Sequence, residues 1–364
     1  MTGMKLRRSP TLQLASDIEQ ARAKGNEAWS LSTPTFPEPQ DLPMVDATWV
    51  RLSHAKGLPE LRDRARMHFF ANWSLPDHEC VITAGAKAGL FAALRAALAP
   101  GSYVLIPTPT WPSYFDICSA AGLNGVAFET DLVSDFALDL DRLEREALAC
   151  GARAVVLANP CNPTGRILPA AEFGALADLC RRQDMLLVID QSFSQVIFDE
   201  VAWSSSVVSN FDRLVVIDSF SKNNILQGAR VAAALLPKWL VEPFVTVHQT
   251  IVSAAPTPGQ KLALHALDTD FAMPSLAGQR EMARSFIEGK GWRTHDQKGT
   301  FYFFPEVPEI DAFWAYARAR NVFVLTGDAF GTRYGRHFRF CFCRPEEELA
   351  HVIELLSRTE QENV

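Results

Sequence analysis

The sequence predicts an α/β fold: a large domain built on a mostly parallel, doubly wound sheet, joined to a smaller α+β domain. Three observations predict it. From residue 80 onward, apolar runs of strand length alternate with helix-like stretches, as in a parallel sheet covered on both faces. Several of these runs end in polar residues, and in open α/β sheets ligands gather at the carboxyl ends of strands. Beyond residue 270 the alternation gives way to helices interspersed with aromatic-rich strands.

Taken in order, the first forty residues hold one helix, 11–24, and a proline-rich segment from Pro34 to Pro43. That is too little for a domain, so this part is expected to pack against the C-terminal region. Strands are expected at 80–84, 103–106, 126–130, 154–158, 186–190 and 214–218, where β-branched and other apolar residues run together. Helices are expected at 86–99, 139–150 and 169–183, with Asp139 or Asp141 and Pro169 as start signals. The C-terminal part should contain helix 276–289, strand 300–304, helix 310–320, strand 321–325, strand 338–342 and helix 345–358. The domain division this implies is 40–268 for the large unit, with 1–39 and 269–364 forming the small one.

Composition narrows the function. The 364 residues are 48% hydrophobic and 21% charged, enough to bury a sizeable core. A formal charge of -7 argues against a nucleic-acid surface, and the basic run Lys5-Leu6-Arg7-Arg8 is too short to alter that. No apolar run approaches the length of a membrane span, so a cytoplasmic protein with small-molecule partners is expected. Seven scattered cysteines read as reduced thiols, and neither they nor the eight histidines show metal-site spacing or a catalytic triad; no metal is expected.

The chemistry lies at the strand ends. Lys222 follows the run ending at Asp218, in the turn Ser219-Phe220-Ser221-Lys222. A desolvated lysine supplies a free amine that can form a Schiff base with an aldehyde. Asp190 ends the run Val188-Ile189 and can keep a pyridinium nitrogen protonated. Asp218 ends its own run in the same way, but a capping or turn role is favoured there. Arg230 with hydroxyls, and the strand-to-helix turn Thr83-Ala84-Gly85-Ala86-Lys87, can seat a phosphate. Asn162, in the rigid turn Asn159-Pro160-Cys161-Asn162-Pro163-Thr164-Gly165, can donate to a phenolic oxygen, and Trp111 can stack on a planar ring. The set reads as a site for pyridoxal 5'-phosphate.

These residues, with Gly57-Leu58-Pro59-Glu60-Leu61-Arg62, Pro109-Thr110-Trp111-Pro112, Gly299-Thr300-Phe301-Tyr302 and Gly327-Asp328-Ala329-Phe330-Gly331, occur in an order that resembles the class I/II aminotransferases. These are fold-type I pyridoxal phosphate enzymes, and the resemblance spans nearly the whole chain. It implies that Lys222 carries the Schiff base and transfers protons, with Asp190 on the pyridine nitrogen. Asn162 would bond the ring oxygen, Trp111 stack on the ring, and Ala86, Lys87, Ser219 and Arg230 hold the phosphate. Arg339 would take the substrate α-carboxylate, with Ser32 and Asn162 beside it. It further implies a homodimer with shared active sites.

Three positions depart from the family pattern. Phe193 stands where a tyrosine usually donates to the ring oxygen, which should raise the Schiff-base pKa. Before Gly57, the stretch Arg51-Leu52-Ser53-His54 stands where the family commonly has a tyrosine that reaches the phosphate across the dimer, so either Arg51 or His54 substitutes for it or nothing does. Ser32 replaces a glycine near the substrate carboxylate. The expected activity is transfer of an α-amino group between an amino acid and a 2-oxo acid. Phe193 keeps open a decarboxylase, lyase or γ-replacement enzyme with the same apparatus. A regulator on this fold would carry a basic DNA-binding module, which is not expected here.

Overall fold

The structure is a computed structural model that describes residues 9–37, 43, 49–198 and 208–357. The basic run at 5–8 and residues 38–42 of the proline-rich segment lie outside the described residues. The strands are β1 (Trp29–Ser30), β2 (His78–Thr83), β3 (Tyr103–Thr108), β4 (Asn124–Glu129), β5 (Ala152–Ala158), β6 (Leu186–Asp190), β7 (Leu214–Ser219), β8 (Ala232–Pro237), β9 (Tyr302–Phe303), β10 (Val322–Phe323), β11 (Leu325–Thr326) and β12 (Phe338–Cys341). The helices are α1 (Pro10–Ala23), α2 (Pro59–Phe69), α3 (Ala86–Ala97), α4 (Ser113–Ala120), α5 (Leu140–Cys150), α6 (Ala170–Arg182), α7 (Phe220–Asn223), α8 (Lys238–Val252), α9 (Thr257–Asp268), α10 (Ala277–Gly289), α11 (Ile310–Ala319) and α12 (Glu346–Ser357).

Seven strands form one sheet in the order β2-β8-β7-β6-β5-β3-β4. Its apolar runs are continuous because both faces are covered. Val155, Leu157, Leu187, Ile189 and Val216 enter one buried cluster, while their neighbours Ala154, Val156, Leu186, Val188 and Ile217 enter the other. The predicted starts of two helices hold: Asp139 Oδ1 accepts the Arg142 amide at 2.9 Å and Pro169 caps α6.

Strand β8 is not in the sequence reading, and it changes the topology. It runs antiparallel to both β2 and β7 and separates them. Its alanine-rich run has weak strand propensity. The helices α2, α4, α8 and α9 are also unanticipated. Of these, α8 carries Pro243 inside it, and α9 opens with Pro258 and Gly259, residues that normally punctuate a helix. The expected strand 300–304 shortens to β9, and 321–325 divides into β10 and β11.

Beyond the large sheet, β11, β12 and β9 form a second sheet. It is packed by α10 and α12 around Phe286, Phe338, Phe340 and Phe342. The N-terminal residues join this region: β1 pairs in parallel with β10, and Leu14 and Ile18 of α1 pack with Phe304, Phe323 and Phe330. No helix among the described residues is long and apolar enough to cross a membrane.

One glycine lets α9 pack directly on the turn that leads into β8. A Cβ on Gly259 would lie 2.0 Å from the carbonyl oxygen of Ala229, in the turn that leads into β8. Gly259→Ala should therefore destabilise the fold by about 2 kcal/mol, the usual scale for forced overpacking. Chemical denaturation checks this, and an unchanged midpoint would contradict the close packing.

Candidate active site

The first side chains of the site come from the carboxyl ends of neighbouring strands. In the β6–β7 ladder Asp190 pairs with Ile217, and in the β5–β6 ladder it pairs with Ala158. Asp190 therefore sits between the 159–165 turn and the lysine turn that follows Ser219. Because β8 is antiparallel, its amino end lies at this same edge, where Ala232 pairs with both Thr83 and Ser219. Arg230, two residues earlier, is thus delivered to the ligand side of the sheet.

The lysine turn is braced from below. Ser219 Oγ accepts the Ser221 amide at 3.1 Å and caps the single-turn helix α7. Asp218 is fully buried; its Oδ1 accepts the Ser219 amide at 2.7 Å and Asn223 Nδ2 at 2.8 Å. Asn223 Oδ1 in turn accepts the Gln195 amide at 3.1 Å, tying this turn to the segment after Asp190. Asp218 is thus a structural brace, in keeping with the sequence reading.

Lys222 Nζ stands 5.0 Å from the centre of the Phe36 ring. Burial pushes its pKa down to about 8, helped by the positive charges of Arg339 and Arg230 and opposed by the thiols of Cys341 and Cys343. Asp190 is buried, and its carboxylate accepts three hydrogen bonds. Oδ2 accepts the Tyr114 hydroxyl at 2.8 Å, and Oδ1 accepts the Ser192 hydroxyl at 2.6 Å and amide at 3.0 Å. Burial raises the Asp190 pKa and these donors pull it back.

Arg339, on β12, is buried and held on one side only. Nη2 donates to the Ser32 carbonyl at 2.6 Å and to Ser32 Oγ at 3.1 Å; Nη1 donates to Asn162 Oδ1 at 3.1 Å. The guanidinium lies 4.3 Å from the centre of the Tyr302 ring, and its Nε has no hydrogen-bond partner among the described residues. Asn162 keeps its place because Gly165, at φ +72, lets the turn close on the 297–299 loop: Lys298 and Gly299 both donate to its carbonyl. A Cβ there would stand 2.6 Å from the Gly299 oxygen.

These groups converge on one cavity of about 590 Å³, a volume suited to a small ligand. Ala86, Lys87, Trp111, Asn162, Asp190, Ser219, Lys222, Arg230 and Arg339 all line it. Ser32 does not; it lies fully buried behind Arg339 as its anchor. Arg51 and His54 are exposed and do not line this cavity. Phe193 lines it, its ring 5.2 Å from that of Phe301.

Two residues essential to the geometry, Tyr114 and Ser192, are absent from the sequence reading. Tyr114 offered one signal, its position three residues after Trp111; Ser192 offered only adjacency to Asp190. The assembly can hold an aldehyde near a weakly basic amine, a protonated ring nitrogen on a carboxylate, an anion at the start of α3, and a second anion on Arg339.

Comparison with known proteins shows the family. The family model described as aminotransferase class I and II matches residues 46–356. Among similar proteins, the putative aminotransferase YugH of Bacillus subtilis is 26% identical over 317 residues, covering 83% of this chain and 82% of that one. The aspartate aminotransferase of Pyrococcus abyssi is 25% identical, covering 84% and 83%. In fold, the chain is similar to the aspartate aminotransferase from Thermus thermophilus with maleate: TM-score 0.87, 24% identity, 98% of this chain and 100% of that one. The family match extends over both the large sheet and the C-terminal region that supplies Arg339, and so this chain belongs to the class I and II aminotransferases and is a transaminase.

Proposed function

We propose that this chain uses pyridoxal 5'-phosphate, bound over Lys222, to move an α-amino group between an amino acid and a 2-oxo acid. The observation that carries the reading is the meeting of Lys222, Asp190, Asn162, Arg230 and Arg339 in a single cavity. Family membership supports the same cofactor. The similar proteins named above are aminotransferases, which argues against the decarboxylase, lyase or γ-replacement alternative.

The residues suit the cofactor. Gly85 has φ +85, and a Cβ there would fall 2.4 Å from Arg230 Nη2; only glycine lets the arginine cross this turn beside the start of α3. The amides that open α3, with Arg230 and Ser219, would hold the phosphate. Asp190, its other lone pairs satisfied, would hold the ring nitrogen's proton. Asn162 has Oδ1 turned to Arg339, which leaves Nδ2 to donate to the ring oxygen, and Trp111 would cover a ring face. When bound, the cofactor supplies an aldehyde carbon for amine capture and a ring that accepts the electron pair released at the substrate α-carbon.

The chain's own work is to hold the substrate and move its proton. Arg339 would take the α-carboxylate through N–H groups that its anchors leave available, pinned by Ser32 and Tyr302. Lys222 Nζ would take the proton from the substrate α-carbon and hand it on to the cofactor carbon that bore the aldehyde, not back to the α-carbon. A homodimer with shared sites belongs to this reading on family grounds. A cytoplasmic location is consistent with seven cysteines that are all free thiols.

Borohydride treatment of protein loaded with pyridoxal phosphate should attach the cofactor to the peptide bearing Lys222, and Lys222→Ala should abolish the label. Attachment elsewhere would overturn the assignment. Uptake needs the neutral amine, whose fraction grows as pH rises through the depressed lysine pKa of about 8. The rate of covalent cofactor uptake by the apoprotein should therefore climb through that value and level off above it. A rise continuing toward the ordinary lysine range would show that Lys222 is not desolvated.

Phe193→Tyr provides a second test. The added hydroxyl would donate to the ring oxygen and favour its anionic form, lowering the midpoint of the holoprotein's visible absorption titration by about one pH unit. An unchanged midpoint would mean that the ring oxygen does not lie beside residue 193.

A further inference from the structure

Among the buried titratable groups that this mechanism does not use, His248 is aimed at the phosphate turn. The β2–β8 ladder ends at the Thr83–Ala232 pair, so the next amide, that of Ala84, has no strand partner. It donates to His248 Nε2 at 3.0 Å, from a helix 164 residues away. His248 is fully buried on α8, stacked on Phe244 with ring centres 6.2 Å apart. Its Nδ1 has no hydrogen-bond partner among the described residues.

To accept from an amide, the ring must be neutral, with its lone pair on Nε2 and its proton on Nδ1. Burial favours that state by pushing the imidazole pKa down. The turn on the other side of this bond is tightly specified. Gly85 donates its amide to the Thr83 carbonyl at 2.8 Å, and Thr83 Oγ1 donates to the Gly85 carbonyl at 3.2 Å. Helix α3 begins at the following residue. His248 thus grips the middle of the turn that fixes where the free amides of α3 point.

We propose that His248 is a positioning residue for the cofactor phosphate, its neutral Nε2 locking the Thr83-Ala84-Gly85 turn in the shape that presents the α3 amides. This rests on the phosphate-seat reading given above. Loss of the acceptor strands the Ala84 amide, and the turn must shift to satisfy it. The ligand that suffers is the one carrying a phosphate. Pyridoxal, which shares the ring and aldehyde but has no phosphate, should be nearly indifferent.

The test is equilibrium binding of pyridoxal phosphate and of pyridoxal, followed by quenching of tryptophan fluorescence, for the wild type, His248→Leu and His248→Gln. The glutamine Oε1 can stand near the position of Nε2 and accept from Ala84. His248→Leu should weaken pyridoxal phosphate about tenfold, the equivalent of one lost buried hydrogen bond. Pyridoxal affinity should stay within about twofold, and His248→Gln should restore most of the phosphate-dependent affinity. His248→Asn, whose amide falls short of Ala84, serves if the leucine variant does not fold.

Equal weakening of both ligands, or full affinity in the leucine or asparagine variant, would overturn the proposal. A wild type that binds pyridoxal as tightly as pyridoxal phosphate would instead overturn the phosphate-seat reading, and the proposal with it.

Discussion

The desolvation of Lys222 is the constraint on which the rest of the site depends. A lysine in water is an ammonium ion at neutral pH and cannot attack a carbonyl. Here burial, with Arg339 and Arg230 as the cationic contributors, lowers the cost of losing the proton. Holding an amine in such a place requires a turn that does not give way. The brace of Asp218, Asn223 and Ser219 beneath α7 supplies it, and the buried Phe220 ring, packed edge-on against Phe69 at 4.8 Å, anchors the same turn in the core.

The sheet turns that local arrangement into a site. Parallel strands carry Asp190, the Asn162 turn and Lys222 to one edge because their carboxyl ends share a side. The antiparallel β8 brings a cation to that edge from the opposite chain direction, which no parallel strand at that place could do. Arg339 arrives separately, on the small sheet, and its anchors at Ser32 and Asn162 come from two further parts of the chain. The cavity therefore depends on contacts among segments far apart in sequence. A defect at any one of them would misplace a charge by more than the chemistry tolerates.

The sequence made the parallel core and the motif residues legible because each is local. A strand of β-branched residues and an aspartate at its end lie within a few positions of one another. Strand β8 was hidden because Ala232, Ala233 and Ala234 carry little strand preference, and only pairing on both sides makes them a strand. Helices α8 and α9 were hidden by their prolines and glycine, and α2 by a run rich in charge, with Leu61, Ala65 and Phe69 as its buried residues. Lys222, Asp190 and Arg339 could be named from their settings. Tyr114, which meets Asp190 from 76 residues away, could not, nor could His248. The contact of Ser32 with Arg339 was not legible either, since it joins residues 307 apart.

A transaminase of this kind should carry out half of its reaction on an amino acid alone. The most direct measurement is the visible absorption of the pyridoxal phosphate-loaded protein while single amino acids are added, with no 2-oxo acid present. At least one amino acid should convert the bound cofactor to its amine form, release one equivalent of 2-oxo acid, and stop until an oxo acid is supplied. Turnover that continues without an acceptor, with release of carbon dioxide or an eliminated group, would contradict it.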